Sequence, residues 1–229
     1  MVKSAILLLK MAIKKFPNDP REMHQRYITY VLWGRGLNGS PRGLLSNNMK
    51  DVDLDLLVPA IEKLIRNEDG LARSFVANAI KQMTFEQLTP LWDDIGWAVK
   101  NPSPSGVMFN ATIREVGLET LAKYNFKETV KFGGDFVLTM KAHGSQERIY
   151  RIMKILKGFG EEAKHALPAL YKAREYYKKN LGPGKPMNFP TWALNKFMKG
   201  LNEGIADIEK STAPPPEDMK TFEGLQIKL

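Results

Sequence analysis

The sequence predicts an all-α protein: a right-handed α-solenoid of about four to five antiparallel helical hairpins with an irregular C-terminal tail. Three observations carry that expectation. Breaker clusters recur along the chain, opening at Asn18, Asn67, Asn101, Lys141 and Asn180, with later spacings of 34, 40 and 39 residues. Between them the apolar residues fall at helical spacing, three and four apart. No alternation of strand-like and helix-like stretches interrupts the pattern. Recurrence at this length marks hairpins that cannot bury their own apolar faces and therefore stack on their neighbours.

Val2 to Lys15 and Arg21 to Trp33 form the first predicted hairpin around Asn18-Asp19-Pro20. Ala5 to Leu9 and Met11 to Ile13 cover most of the circumference of its first helix, whereas a terminal repeat needs a polar outer side. The expectation is an upstream domain, or a second copy, lying over it. A long loop, 34–50, follows. Leu54, Leu57, Val58, Ile61, Leu64 and Ile65 then form one stripe, and Leu71, Phe75, Val76, Ala79, Ile80 and Met83 form its partner across Asn67-Glu68-Asp69-Gly70. Thr84-Phe85-Glu86-Gln87 has the spacing of a capping box, in which the Thr and Gln side chains satisfy each other's free amides. It opens a helix through Leu88, Leu91, Trp92, Ile95 and Val99, and Val107 to Tyr124 supplies the partner. The next unit pairs Phe126 to Met140 with Ser145 to Leu156. Gly133-Gly134 weakens its first helix by about 1 kcal/mol per glycine. The last begins near Glu161 with Leu167, Leu170 and Tyr177, and closes with Trp192 to Ile208 after a Gly/Pro-rich linker, 181–190. Residues 1–210 thus read as one repeat domain. Pro214-Pro215-Pro216 cannot continue a helix, so 211–229 reads as an extended tail packed back along the array.

With 43% hydrophobic residues the chain can bury a core, and no apolar run approaches the roughly 20 residues of a membrane span. Ala5 to Ile13 is interrupted by Lys10 and lacks a small-residue cleavage site, so it reads as a helix and not a signal peptide. Zero cysteines exclude disulfides, thiolate metal sites and cysteine nucleophiles, and leave the compartment unread. The net charge of +9 is concentrated in two blocks: residues 1–50 hold 9 basic and 2 acidic groups, and residues 151–200 hold 11 and 3. Residues 51–100 run the other way, with 5 and 9. Such a balance suits an acidic partner or a polyanion, and equally a solvated helix face.

The stretch Leu56-Leu57-Val58-Pro59-Ala60-Ile61-Glu62-Lys63-Leu64-Ile65-Arg66-Asn67-Glu68-Asp69-Gly70-Leu71-Ala72-Arg73 resembles a HEAT repeat. In that family the first helix carries a proline after leucines, the turn is Asp-rich, and the second helix opens with an arginine. Pro90 and Pro168 occupy similar places, and Arg148 matches Arg73; Lys131 stands near the proline position of the third unit, and the second unit has no arginine directly after its turn. The resemblance covers about Leu54 to Tyr177, extends loosely to residues 2–33 and leaves out the tail, and it implies an interaction scaffold without chemistry. A looser resemblance, to the C-terminal helical-repeat regions of large bacterial proteins, implies a module of a longer chain. The HEAT-like alkylpurine DNA glycosylases offer a basic all-helical alternative with a catalytic aspartate near tryptophans. Trp92-Asp93-Asp94-Ile95-Gly96-Trp97 is similar in composition. With Trp92 and Ile95 on the apolar stripe, Asp93 and Asp94 are expected to point outward, so no catalytic role is carried over.

Four further patterns bear on chemistry. Gly34-Arg35-Gly36-Leu37-Asn38-Gly39 has the spacing of a dinucleotide loop, but Ser40-Pro41-Arg42-Gly43 follows where a helix is required. Its basic residues Arg35, Arg42 and Lys50 among loop amides still suit an anion. Asp51-Val52-Asp53-Leu54-Asp55 with Glu62 mimics a calcium loop, yet Leu56 stands where glycine must turn the chain, and these acids read better as charges at a helix N-terminus. His24, His143 and His165 lack zinc-ligand spacing, and no Gly-x-Ser-x-Gly elbow is present. The fourth pattern is basic: Arg148, Arg151, Lys154 and Lys157 lie opposite an apolar stripe, and Lys164, Lys172, Arg174, Lys178 and Lys179 follow among Tyr171, Tyr176 and Tyr177. Cations interleaved with aromatics suit phosphate neutralisation and base stacking. The reading is a non-enzymatic scaffold without cofactor or metal that holds a protein partner or adjacent domain, with nucleic acid as the alternative.

Overall fold

The computed structural model describes residues 53–68, 70–104, 107–140 and 144–227. The first predicted hairpin and the loop 34–50 lie outside the described residues. Within them the fold is all-α, as the sequence predicts, with only two isolated β-bridges. The chain divides into two compact units, the first ending at Thr120 and the second running from Leu121 to Gln226. No described helix is long and apolar enough to cross a membrane.

The first unit opens with α1 (Leu54–Ile65), whose N-terminus is capped by Asp53 accepting the Asp55 N–H at 3.1 Å. This capping is the favourable use of an acid at a helix start. Leu57, Ile61, Leu64 and Ile65 are fully buried, the stripe the spacing predicts. α2 (Gly70–Ile80) packs back on α1. Thr84 and Gln87 form the predicted capping box at the start of α3 (Phe85–Leu88). The helix expected from there to Val99 is broken. Pro90 has no N–H to give the Glu86 carbonyl, so Thr89–Leu91 tightens into a 3₁₀ turn before α4 (Trp92–Lys100). α5 (Val107–Lys123) follows, and the boundary between the units falls in its last turn.

Two of the recurring asparagines close helix C-termini with their side chains. Asn101 donates its side-chain amide to the Trp97 carbonyl at 2.8 Å, and Asn180 does the same to Tyr176 at 2.9 Å. Buried arginines of the second helices reinforce these ends. Arg73 on α2 donates to the main-chain carbonyls of Asn67 and, at 2.7 Å, Asn101. Arg114, a full two turns into α5, donates to the Val99 carbonyl at 2.8 Å. Cations suit helix C-termini, where carbonyls lack intrahelical partners.

The second unit contains α6 (Glu128–Leu138), α7 (Ser145–Lys157), a 3₁₀ segment Gly160–Ala166, α8 (Leu167–Asn180) and α9 (Thr191–Lys210). α7 and α9 run parallel: Glu147 meets Lys196, Tyr150 meets Gly200, Met153 meets Gly204 and Lys157 meets Asp207, so both numbers rise together. α6 and α8 are parallel for the same reason, Gly134 facing Ala169 and the end of α6 facing Tyr177. The hairpin α6–α7 therefore stacks on α8–α9, like helix on like. Gly133-Gly134 stays helical because the glycines are buried and let α6 approach; a Cβ on Gly134 would lie 3.1 Å from that of Ala169. Packing gained by close approach outweighs the propensity cost.

Tyr177 closes the end of α6. Its hydroxyl lies 2.7 Å from the Val137 carbonyl and 3.0 Å from that of Met140, and its ring is edge-on to Phe197 at 4.9 Å. The chain after α9 crosses both hairpins. Ala213 accepts the Glu161 N–H at 2.9 Å, Lys220 exchanges two main-chain bonds with Asn125 and Lys127, and Phe222 buries its ring edge-on to Phe126 at 5.1 Å. The body meets this strap at two left-handed residues, Gly160 (φ +56°) and Asn125 (φ +56°). Glycine is required at the first, where a Cβ would lie 2.9 Å from the Pro214 carbonyl carbon.

Candidate interaction surface

Parallel packing of α7 on α9 creates a seam whose floor is Gly200 and Gly204. A cleft of about 120 Å³ lies along it, walled by Tyr150, Lys154 and Lys157 of α7 and by Glu203 and Asp207 of α9. Ion pairs cross the seam at both ends, Lys196 to Glu147 at 2.5 Å and Lys157 to Asp207 at 2.6 Å. Tyr150, 36% exposed, donates its hydroxyl to the Lys196 carbonyl at 3.0 Å, which holds its ring along the groove. Trp192 stands one helical turn before Lys196 on the same stripe of α9 and is 64% exposed.

The predicted basic residues divide. Arg151, Lys154 and Lys157 are exposed on α7, and Arg148 is half-buried near Gly144. Lys172, Lys178 and Lys179 are exposed on α8, a different helix layer. Several cations are matched locally: Lys157 by Asp207, Lys178 by Glu175 at 3.0 Å and Lys164 by Glu161 at 3.5 Å. The aromatics interleaved with them divide too, and of the three only Tyr176 is largely exposed. Tyr177 is 1% exposed and belongs to the core, and the Tyr171 hydroxyl is bound to Glu209 while Arg174 lies over its ring. The i, i+3 and i+4 stripe through Leu170 and Ala173 accounts for Tyr177, because it continues that apolar row.

The Trp92–Trp97 segment also departs from expectation. Asp94 does not point outward: it is 7% exposed, bound by the Arg66 Nε, while Arg66 Nη2 reaches Asp93 at 2.8 Å. α4 has small residues Gly96 and Ala98 beside Trp92 and Ile95, so neighbours enclose it on more than one side and α1 covers the Asp94 flank. Burial pushes the Asp94 carboxyl above the ordinary aspartate range, against the pull of Arg66. Glu62 is raised too, first by burial and then by the charge of Asp94. The Trp97 ring lies 5.1 Å from the Arg66 guanidinium and 4.7 Å from that of Arg73. With Asp94 engaged by Arg66, the cluster joins α1 to α4.

A second cleft, of about 400 Å³, lies between α1 and α3 with Pro59 and Pro90 in its wall and Asp55 and Glu86 at its edge. His165 is exposed beside Glu162 at 3.7 Å. Arg35, Arg42 and Lys50, the glycine loop 34–39, Asp51, His24 and His143 lie outside the described residues. The features missed in the sequence were Gly200-x-x-x-Gly204 and Trp192, whose signal was a small-residue pair beginning two turns after an aromatic on one stripe. Compared with known proteins, the chain matches no family model, no curated sequence and no solved structure.

Proposed function

We propose that this chain is a non-catalytic helical-repeat module, a right-handed HEAT-like solenoid that holds a partner protein or an adjacent domain. The observation that supports it most is the stacking of α6–α7 on α8–α9 with like helices parallel, the local geometry from which solenoids are built. Pro59, Pro90 and Pro168 stand in the first helices of three hairpins, with α6 of the intervening one lacking a proline, and Arg73 and Arg114 recur as ties from the second helices, which also fits a repeat. Three described groups that could act in chemistry are tied to structural partners: Asp94 to Arg66, Tyr171 to Glu209 and Tyr177 to main-chain carbonyls.

The nucleic-acid alternative relies on Arg148, Arg151, Lys154 and Lys157, with Arg35, Arg42 and Lys50. Along α7 that row shares its seam with Glu147, Glu203 and Asp207, whose charges oppose a phosphate backbone. The test is a selection of linear peptides by the purified chain, with a short DNA duplex titrated in parallel from low to high salt. Selected peptides that bind stoichiometrically at physiological salt are the expected result. Failure to select any peptide, together with duplex binding that weakens steeply with salt, would replace the scaffold reading with the alternative.

A further inference from the structure

We propose that the cleft between α1 and α3 is the docking groove for a partner segment that sets an arginine or lysine beside a bulky apolar side chain, an assignment that rests on the scaffold reading. The groove lies at the break that Pro90 makes. α1 runs parallel to α3 and α4: residues 54–59 line the cleft on one side and residues 86–90 on the other, and further along Arg66 meets Asp93 and Asp94. α3 ends after one turn, and the chain tightens into its 3₁₀ turn before α4 begins. Leu54 and Val58 belong to the apolar stripe of α1, yet beside the fully buried Leu57 and Ile61 they are only half-buried, because the cleft opens along their flank. Pro59 and Pro90, both exposed, continue the apolar lining. At about 400 Å³ the space falls within the roughly 300–1,000 Å³ typical of ligand sites.

The charge of the groove selects its occupant. Its lining holds two ionisable side chains, Asp55 and Glu86, and both are acidic. Glu86 accepts the Thr84 hydroxyl at 2.9 Å, a neutral partner, and among the described residues no cation pairs with it or with Asp55. Lys63 stands two turns beyond Asp55 on α1, outside the lining. With Asp53 at the helix cap, these acids outweigh the roughly half positive charge of a helix N-terminus. An apolar floor beneath uncompensated carboxylates suits a cation whose neighbour is apolar, and it repels a phosphate backbone or an acidic peptide.

The test uses the full chain and a fluorescein-labelled glycine-serine peptide with a central run of arginine, leucine and arginine. One control carries serine for the leucine, and another carries glutamate for both arginines. The first peptide is expected to bind most tightly, with the serine control roughly tenfold weaker. The double variant Asp55→Asn, Glu86→Gln should weaken it roughly tenfold. Asp55→Glu should retain it, and circular dichroism should be unchanged because both side chains are exposed. Amide exchange protection on binding should fall in the first turns of α1 and in α3; should the double variant fail to fold, this footprint on the parent chain decides alone. Binding that ignores the double variant, or protection confined to other helices, overturns the groove and leaves the scaffold reading standing. Tighter binding of the glutamate control overturns the cationic occupant. A chain that dimerises without peptide, and loses its dimer in the double variant, gives the groove to a second copy and overturns the partner segment. Failure of all three peptides overturns the groove, and failure of every peptide in a random library as well sinks the scaffold reading itself.

Discussion

Arg73 and Asn101 are joined by a 2.7 Å hydrogen bond from the guanidinium Nη1 to the main-chain carbonyl, while the same group's Nε serves the Asn67 carbonyl. One buried side chain thus holds two helix ends whose asparagines are 34 residues apart. Arg73→Met and Arg73→Lys should each lower the unfolding free energy by about 2–4 kcal/mol, because carbonyls are left without donors and an ammonium cannot span both. Urea denaturation measures this. A lysine variant as stable as the parent would show that the fork geometry contributes nothing.

Gly204→Ala should destabilise, although alanine normally improves a helix interior by about 0.5–1 kcal/mol. The new Cβ would lie 2.7 Å from Met153 Sδ and 2.8 Å from Met153 Cβ, and overpacking of this kind costs about 1–3 kcal/mol. A double-mutant cycle with Met153→Ala should return a coupling above 1 kcal/mol, since alanine removes the Cγ and Sδ contacts and keeps only the Cβ one. Additive effects in thermal unfolding would rule out contact at this point of the seam.

Phe222→Ala should release the strap. The ring packs against Phe126 and Phe132, and its loss costs about 3–5 kcal/mol. Lys127 and Glu161 donate their amides to strap carbonyls, so both should exchange faster. Amides in the middle of α9 should keep their protection, which separates local release from global unfolding.

Arg66→Ala should destabilise by about 1–3 kcal/mol at neutral pH, because Asp94 keeps its burial and loses its partner. The Asp94 carboxyl is already raised by burial, and removing Arg66 raises it further. For a carboxyl raised on folding, the associated stability is present below the unfolded value and is lost as pH climbs through the folded one. The gap between variant and parent should therefore narrow on moving from about pH 7 to about pH 4. A gap independent of pH would mean that Asp94 does not titrate in this range.

The helices were legible wherever one apolar stripe faced one neighbour. Leu57, Ile61 and Leu64 on α1, and Ile149, Ile152 and Leu156 on α7, alternate with polar residues at 3.6-residue spacing, and Thr84 with Gln87 marks a start by local chemistry alone. Asp94 was misread because a stripe records the period of a helix and not how many neighbours enclose it. The Thr89–Leu91 break was foreshadowed by Pro90, but proline in a first helix is tolerated at Pro59 without ending the helix, so the outcome depends on packing. The exposure of Trp192 on α9 was the least legible feature of this surface. Exposure of a tryptophan that opens an amphipathic helix is decided by what the neighbouring helix leaves uncovered, and that register is tertiary.

The strap has a consequence for synthesis. Phe222 donates its amide to Glu128 across 94 residues of sequence, so the first helix of the second unit is made long before its cover. Translation at about 5–20 residues per second leaves Phe126 and Phe132 waiting several seconds for Phe222. For the last part of that interval, once α9 has been made at residue 210, the aromatic cleft still lacks its cover. A chain ending before residue 222 should keep Phe126 and Phe132 without this aromatic cover.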